Sequence, residues 1–197
     1  MIEFDELKMQ QYARAFGEEL ADFFNREDVT DLLDRNDFQT LYDIWSTIHD
    51  GSTGAPLTSA LLLSIPEFVT QLKWLPSTCF ESLPITKVTV PNNIELINDG
   101  CFSYCRELTE IDILEGCKQI GDYAFAYCDK LNSLSLPKSI THIGKHIAKD
   151  SELLHRIDYH GTRKNWASIK LHWQWDLDSN IHWIKFSDGT TQEIYRG

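Results

Sequence analysis

Hydrophobic residues recur every three or four positions in the first part of the chain, and acidic residues fill many positions between them. This spacing is typical of short amphipathic helices that bury one side. The apolar side of the first predicted stretch carries Phe4, Leu7, Tyr12, Phe16, Leu20, Phe23 and Phe24. A second helix is predicted after Asn36, its expected N-cap, with Phe38, Leu41, Tyr42, Trp45 and Ile48 facing inward.

A third helix is predicted after the loop sequence GSTGAP at 51–56, beginning near Thr58 and packing through Leu61 and Leu62. Pro66 ends this helix or starts another short one, PEFVTQL. Helices this short need tertiary packing to be stable. We therefore expect residues 1–73 to form an acidic helical module that packs on the rest of the chain.

From about residue 75 the hydrophobic pattern changes to a repeat with a constant 23-residue step. The aligned columns are Ile85, Leu108, Leu131 and Leu154; Val88, Ile111, Leu134 and Ile157; and Val90, Ile113, Leu136 and Tyr159. A fixed period in the twenties predicts a solenoid, in which each unit covers the hydrophobic edge of its neighbour. Gly121 and Gly144 also repeat, and we expect them to supply the positive φ of a tight corner.

Two successive units read ITKVTVPNNIELINDGCFSYCRE and LTEIDILEGCKQIGDYAFAYCDK. They resemble the BspA-type leucine-rich repeat, L-x-x-I-x-I-P-x-x-V-x-x-I-G-x-x-A-F-x-x-C, over about residues 75–160, with a leading half-unit at LPSTCFESLP. The next unit departs from this pattern, because Ile147, Ala148 and Ser151 replace its Ala, Phe and Cys. A helical leader before a truncated first repeat is also similar to small leucine-rich repeat proteins encoded by bacteriophages.

These patterns predict an α+β fold with three parts. Residues 1–73 form the helical module, residues 74–160 form about 3.5 leucine-rich repeats, and residues 161–197 form a Trp-rich C-terminal cap. The tail after residue 160 looks like the terminal cap of such solenoids, which must seal the open end of the stack.

The five cysteines and seven histidines raise the question of a metal site. Cys105 and Cys128 share one repeat column, and Cys101 shares its column with Ala124 and Ile147. Free cysteine behaves as a small buried hydrophobe, whereas structural zinc needs four converging ligands. The cysteines are therefore predicted to pack the core, and neither a metal nor a cofactor is expected.

Composition and charge narrow the class of protein. The chain is 42% hydrophobic with a net charge of −12, and residues 1–50 hold 13 acidic and 4 basic side chains. This placement disfavours direct nucleic-acid binding, which needs cationic contacts to phosphates. The acidic start and the lack of a long apolar run predict no export signal, no membrane span and a cytoplasmic location.

A binding surface is predicted where alternate residues of the repeat strands point outward. The two outward rows are Lys87, Glu110, Ser133 and Arg156, and Thr89, Asp112, Ser135 and Asp158. Trp173 and Trp175 alternate in HWQWDLD, so both would face one side if this stretch were a strand. Two interpretations of these tryptophans stay open: packing of the terminal cap, or exposed contacts to a partner protein or a sugar.

No nucleophile–base pair, phosphate-binding loop or paired acid/base carboxylates can be recognised in the sequence. The sequence therefore predicts a non-enzymatic module for protein–protein interaction. If the chain is phage-encoded, it would bind and inhibit a protein of the infected bacterium. The alternatives are a surface or adhesion protein, and an acidic nucleic-acid mimic that blocks a DNA-binding enzyme.

Overall fold

Each repeat unit forms one turn of a solenoid, with a longer strand on one side and a two-residue strand on the other. The computed structural model describes residues 2–15, 17–35, 37–48, 55–64 and 72–194. Parallel strands from successive units form two sheets. The hydrophobic columns pack between them, and the buried residues of the helices and the solenoid form one continuous core.

In the described part of the chain, sheet A has seven strands and sheet B has five. The order in sheet A is β1 (Ile2–Phe4), β3 (Ile85–Val90), β5 (Glu110–Ile113), β7 (Ser133–Leu136), β9 (Arg156–Tyr159), β11 (Trp183–Lys185) and β12 (Thr191–Glu193). The order in sheet B is β2 (Trp74–Leu75), β4 (Leu96–Ile97), β6 (Gln119–Ile120), β8 (His142–Ile143) and β10 (Lys170–Leu171). Val88 pairs with Ile111, which pairs with Leu134, so the register predicted from the repeat is confirmed.

Helices cover the N-terminal end of this stack. They are α1 (Glu6–Ala15), α2 (Gly17–Phe24), α3 (Glu27–Asp34), α4 (Phe38–Ile48) and α5 (Ala55–Ser64), with a one-turn α6 (Arg163–Trp166) near the other end. The Tyr42 hydroxyl on α4 donates to the carbonyl of Ser77 at 3.0 Å. The helices thus pack on the solenoid as predicted, while Asn36 and most of PEFVTQL lie outside the described residues.

The start of the chain differs from the helical prediction. Phe4 belongs to β1, which pairs antiparallel with β3 and covers the edge of sheet A. Helix α1 begins only at Glu6, so Met9 faces the core and Leu7 is 66% exposed. In α4, Leu41, Tyr42 and Trp45 are buried as predicted. Ile48 is 47% exposed, because it is the last residue of α4 and extends beyond the packed side.

The stack continues through the predicted C-terminal cap. Strand β10 pairs parallel with β8, and β11 pairs parallel with β9, so residue 160 is not a break in either sheet. Helix α6 fills the longer connection here, with Thr162 and Asn165 forming a capping box. The antiparallel strand β12 then covers β11.

The cysteines lie in the core of the solenoid corners. Cys105 donates to the carbonyl of Phe80 at 3.0 Å, and Cys128 donates to that of Phe102 at 3.2 Å. Ser151 makes the same contact to Phe125 at 2.9 Å, so its departure from the repeat pattern preserves the hydrogen bond. Burial raises the pKa of Cys128 to about 12, which keeps this thiol protonated as a donor.

The glycine column is required by close packing, not by φ. The positive φ angles fall two residues later, at Gly100, Tyr123 and His146. A Cβ on Gly121 would lie 2.7 Å from the carbonyl carbon of Asn98. The expectation of a left-handed glycine corner at 121 and 144 is therefore wrong, since these glycines instead let successive turns approach.

Glu107 forms ion pairs that connect helix α1 to the solenoid and one solenoid turn to the next. These contacts should be sensitive to acid. Its carboxylate binds Nζ of Lys130 in the next turn and Nζ of Lys8 on α1, the latter at 2.9 Å. Hydrogen bonds from Lys130 and then Lys8 lower the pKa of Glu107 from 4.5 to about 2. Because the folded-state pKa is depressed, this stabilisation is present above about pH 4.5 and is lost as the pH falls toward 2.

Glu107→Gln is therefore expected to lower the melting temperature at neutral pH, with the difference from wild type vanishing near pH 2. Thermal melts over a pH series measure this. Glu193→Gln, on the exposed edge strand β12, is the control and should change little at either pH. A constant difference between Glu107→Gln and wild type at all pH values would contradict the assignment.

Candidate interaction surface

The two predicted outward rows run across sheet A in register. Lys87 pairs with Glu110, and Thr89 pairs with Asp112. The next strand continues both rows with Ser133 and Ser135, and β9 continues them with Arg156 and Asp158. Each of these eight residues is exposed or half-buried. The structure thus brings all eight onto one face, while their role in binding stays a prediction.

Ion pairs hold several of these side chains in the rows. Lys87 Nζ lies 3.4 Å from Glu110 Oε2, and Arg156 donates to Asp158 at 3.0 Å. Ser135 Oγ lies 2.9 Å from His160 Nε2. Exposed ion pairs of this kind add little stability, about 0–1 kcal/mol each. They leave a polar face of mixed charge that could pair with a complementary surface.

The structure lengthens both rows with residues that the sequence reasoning missed. Trp183 on β11 pairs with Arg156 on one side and with Glu193 on the other. Lys185 pairs with Asp158 and extends the second row, and Glu3 on β1 pairs with Lys87 at the opposite edge. The signal for β11 was the alternation in HWIKF, but this strand follows β9 by more than the repeat step and so falls outside the aligned columns.

Trp183 is 42% exposed and adds a large apolar surface to an otherwise polar face. Ile184, its neighbour in sequence, is fully buried. Tryptophan and arginine are both enriched at the energetic hot spots of protein interfaces, and here they are neighbours in one row. Trp183 is therefore the aromatic anchor of a row whose other members are polar or charged.

Trp173 and Trp175 do not share a face of a strand. Both lie in the turn after β10. Trp173 is 80% exposed, whereas Trp175 is 8% exposed and packs edge-on against Trp166 at 5.8 Å. The condition for a shared side, a strand over HWQWDLD, is not met, because this stretch forms a turn. Trp175 fills the cap, and Trp173 stays on the surface.

Several histidines make ring-stacking or backbone contacts. His146 is buried, stacks on Tyr123 at 5.1 Å and contacts the carbonyl of Leu177 through Nδ1 at 3.1 Å. His155 stacks on His182 at 6.1 Å. Within the described ranges, no three His, Cys, Asp or Glu side chains converge as a metal site requires. In the same ranges, no helix is long and apolar enough to span a bilayer.

The acidic side chains of the helical module are spread over separate helices. Exposed members include Glu6 on α1, Asp22 on α2, and Glu27 and Asp31 on α3. Local contacts engage further carboxylates, since Asp28 pairs with Arg26 at 2.6 Å and Asp37 accepts from the Thr40 amide at 3.2 Å. A nucleic-acid mimic needs carboxylates spaced along one face, and that hypothesis stays a prediction.

Comparisons with known proteins address the repeats. The model of the BspA type leucine rich repeat region matches residues 63–170 in six copies. Two similar solved structures are a leucine rich cell surface protein from Faecalibacterium prausnitzii (25% identity, TM-score 0.40) and a leucine-rich repeat protein from Bacteroides ovatus (19% identity, TM-score 0.41). They cover 50% and 57% of this chain, which in turn spans 32% and 27% of theirs. No curated protein matches the chain.

Proposed function

The chain belongs to the BspA-type leucine-rich repeat family, and we propose that it is a non-enzymatic module that binds a partner protein through the outer face of sheet A. Repeat solenoids commonly present extended surfaces for interaction. The observation that supports this face is the in-register row in which Trp183 lies between Arg156 and Glu193. The paired strands hold the face rigid, so little conformational entropy is lost when a partner docks.

The charges on the outer face of sheet A and its exposed tryptophan indicate which kind of partner surface would bind. Three cations, Lys87, Arg156 and Lys185, are interspersed with carboxylates along the two rows. A partner with a complementary pattern of charges would be oriented by them, and its affinity would come from an apolar contact to Trp183. This arrangement fits a folded protein surface with an apolar pocket inside a charged rim.

Trp183→Ala is expected to weaken partner binding by about 2 kcal/mol or more, roughly thirtyfold. Affinity capture from bacterial lysate with wild-type and variant baits identifies the candidate partner, and titration with the purified protein gives the affinity change. Trp173→Ala is the matched control, because Trp173 is more exposed but lies after β10 of sheet B.

Equal recovery of every captured protein by wild type and Trp183→Ala would reject sheet A as the binding face. Failure to recover any specific protein at low and moderate salt would count against the interaction module itself. A narrower form of the proposal is a phage-encoded chain that inhibits a bacterial host protein. This form requires the captured partner to lose activity when the chain is added. The alternative of a surface or adhesion protein stays a prediction.

A further inference from the structure

The outer face of sheet B carries a groove that is separate from the rows of sheet A. The groove has a volume of about 490 Å³ and runs across β4, β6, β8 and β10. Its lining includes Leu96, Gln119, His142 and Lys170, which pair along one outward row of the sheet. Four strands at a spacing of about 4.8 Å give the groove a length of about 14 Å.

Two glycines, Gly121 and Gly144, belong to the lining of the groove. They lie in adjacent turns, and the lack of a Cβ lets these turns approach closely beneath the groove. The nearby aspartate side chains bind backbone amides of the next turn. Asp99 accepts from the amide of Asp122 at 2.8 Å, and Asp122 accepts from the amide of Lys145 at 2.9 Å.

The walls offer planar hydrogen-bonding groups. Gln119 supplies an amide, and His142 and His172 supply imidazoles. The backbone amide of Gln174 donates to Nδ1 of His172 at 3.1 Å, so the neutral ring carries its proton on Nε2 as a donor. The formally charged lining residues are one acid, Asp99, and one base, Lys170, so their charges balance within a chain of net charge −12.

Trp173 provides an exposed aromatic surface next to His172, which lines the groove. It follows His172 directly, and the two rings stack with centroids 5.9 Å apart. Its indole is 80% exposed, the largest exposure among the large hydrophobic side chains of the described residues. An indole left in water beside this groove provides a flat apolar platform for a ligand.

We propose that the sheet B groove with Trp173 binds a neutral, linear oligosaccharide of three or four sugar rings. A pyranose ring has an apolar C–H face that can stack on the indole, and its hydroxyls can pair with the amide and imidazole groups of the walls. The lack of net charge fits an uncharged ligand. A groove about 14 Å long fits an extended chain of sugars better than a compact one.

An extended peptide fits this groove less well. Peptides that bind to sheets usually add a strand at an open edge, where backbone N–H and C=O groups are unpaired. The groove crosses the faces of strands whose backbone groups already pair with neighbouring strands, as in β6 with β4 and β8. Side-chain contacts must therefore supply the affinity, which favours a ligand rich in hydroxyls.

The test titrates the full chain with cellotetraose, mannotetraose, laminaritetraose and maltotetraose, using calorimetry and tryptophan fluorescence. We expect at least one tetrasaccharide to bind, with the corresponding disaccharide weaker. Trp173→Ala and Gln119→Ala should each weaken binding about tenfold, because both side chains are exposed and can be removed without disturbing the core. Circular dichroism confirms that each variant is folded.

Trp183→Ala is the matched control, since it removes an exposed tryptophan from sheet A and should leave sugar affinity unchanged. Tetragalacturonic acid, the anionic probe, should bind more weakly than the neutral sugars. Three results would each overturn the proposal. They are no binding of any tetrasaccharide at millimolar concentration, binding unaffected by Trp173→Ala and Gln119→Ala, and self-association in sedimentation that Trp173→Ala abolishes.

Discussion

Phe102→Ala is expected to lower the free energy of unfolding by about 4 kcal/mol. Phe102 is fully buried and stacks between Phe80 in the preceding turn and Phe125 in the next, with ring centroids 4.9 and 6.0 Å away. In a solenoid, stability depends on the interfaces between adjacent turns. Removing this ring therefore weakens two interfaces and leaves a cavity between them.

Urea unfolding followed by circular dichroism and by tryptophan fluorescence measures this loss. Leu7→Ala is the control, because Leu7 is a large apolar residue whose side chain is 66% exposed. That variant should stay within about 0.5 kcal/mol of wild type. A loss below about 1 kcal/mol for Phe102→Ala would mean that the stacked column contributes little to the solenoid.

Gly121→Ala is expected to destabilise the chain by about 3 kcal/mol, although it adds only one methyl group. The new Cβ would lie 2.7 Å from the carbonyl carbon of Asn98 and from the amide nitrogen of Asp99, and it would also collide with the Asp99 carboxylate. Backbone atoms cannot move aside as a flexible side chain can. Two adjacent turns must therefore separate to accept it.

The matched control is Gly17→Ala, where a Cβ would meet nothing within 4 Å. Gly17 begins α2, and alanine there should leave the free energy of unfolding within about 0.5 kcal/mol of wild type or raise it. The urea midpoints of wild type, Gly121→Ala and Gly17→Ala measure this difference in stability. Equal midpoints for Gly121→Ala and Gly17→Ala would show that the turns can separate at no cost.

The sequence predicted the solenoid closely because each turn contacts its nearest neighbours. Since that contact recurs at a constant step, the columns of Val88, Ile111 and Leu134 could be aligned directly. The outward rows followed from strand alternation alone. The same reasoning placed Cys105 and Cys128 in the core, where the thiols donate to carbonyls of the preceding turn.

Features that break the period could not be predicted in the same way. Helix α6 lengthens one turn, so Trp183 enters the row of Arg156 out of step with the repeat and was missed as its aromatic member. The sequence showed that glycine repeats at 121 and 144, but not why glycine is needed there. Only the folded structure shows that the Asn98 carbonyl lies too close to Gly121 for a Cβ.

The sequence by itself determined the family, the register of strands β3, β5, β7 and β9, and the outward side chains on these four strands. These properties depend on a local alternation and a constant step, both of which can be counted along the chain. Only the tertiary structure decided that Ile2–Phe4 forms an edge strand, that Trp175 is buried while Trp173 is exposed, and that sheet B carries a groove. Each depends on contacts between distant segments that obey no period, so packing had to decide them.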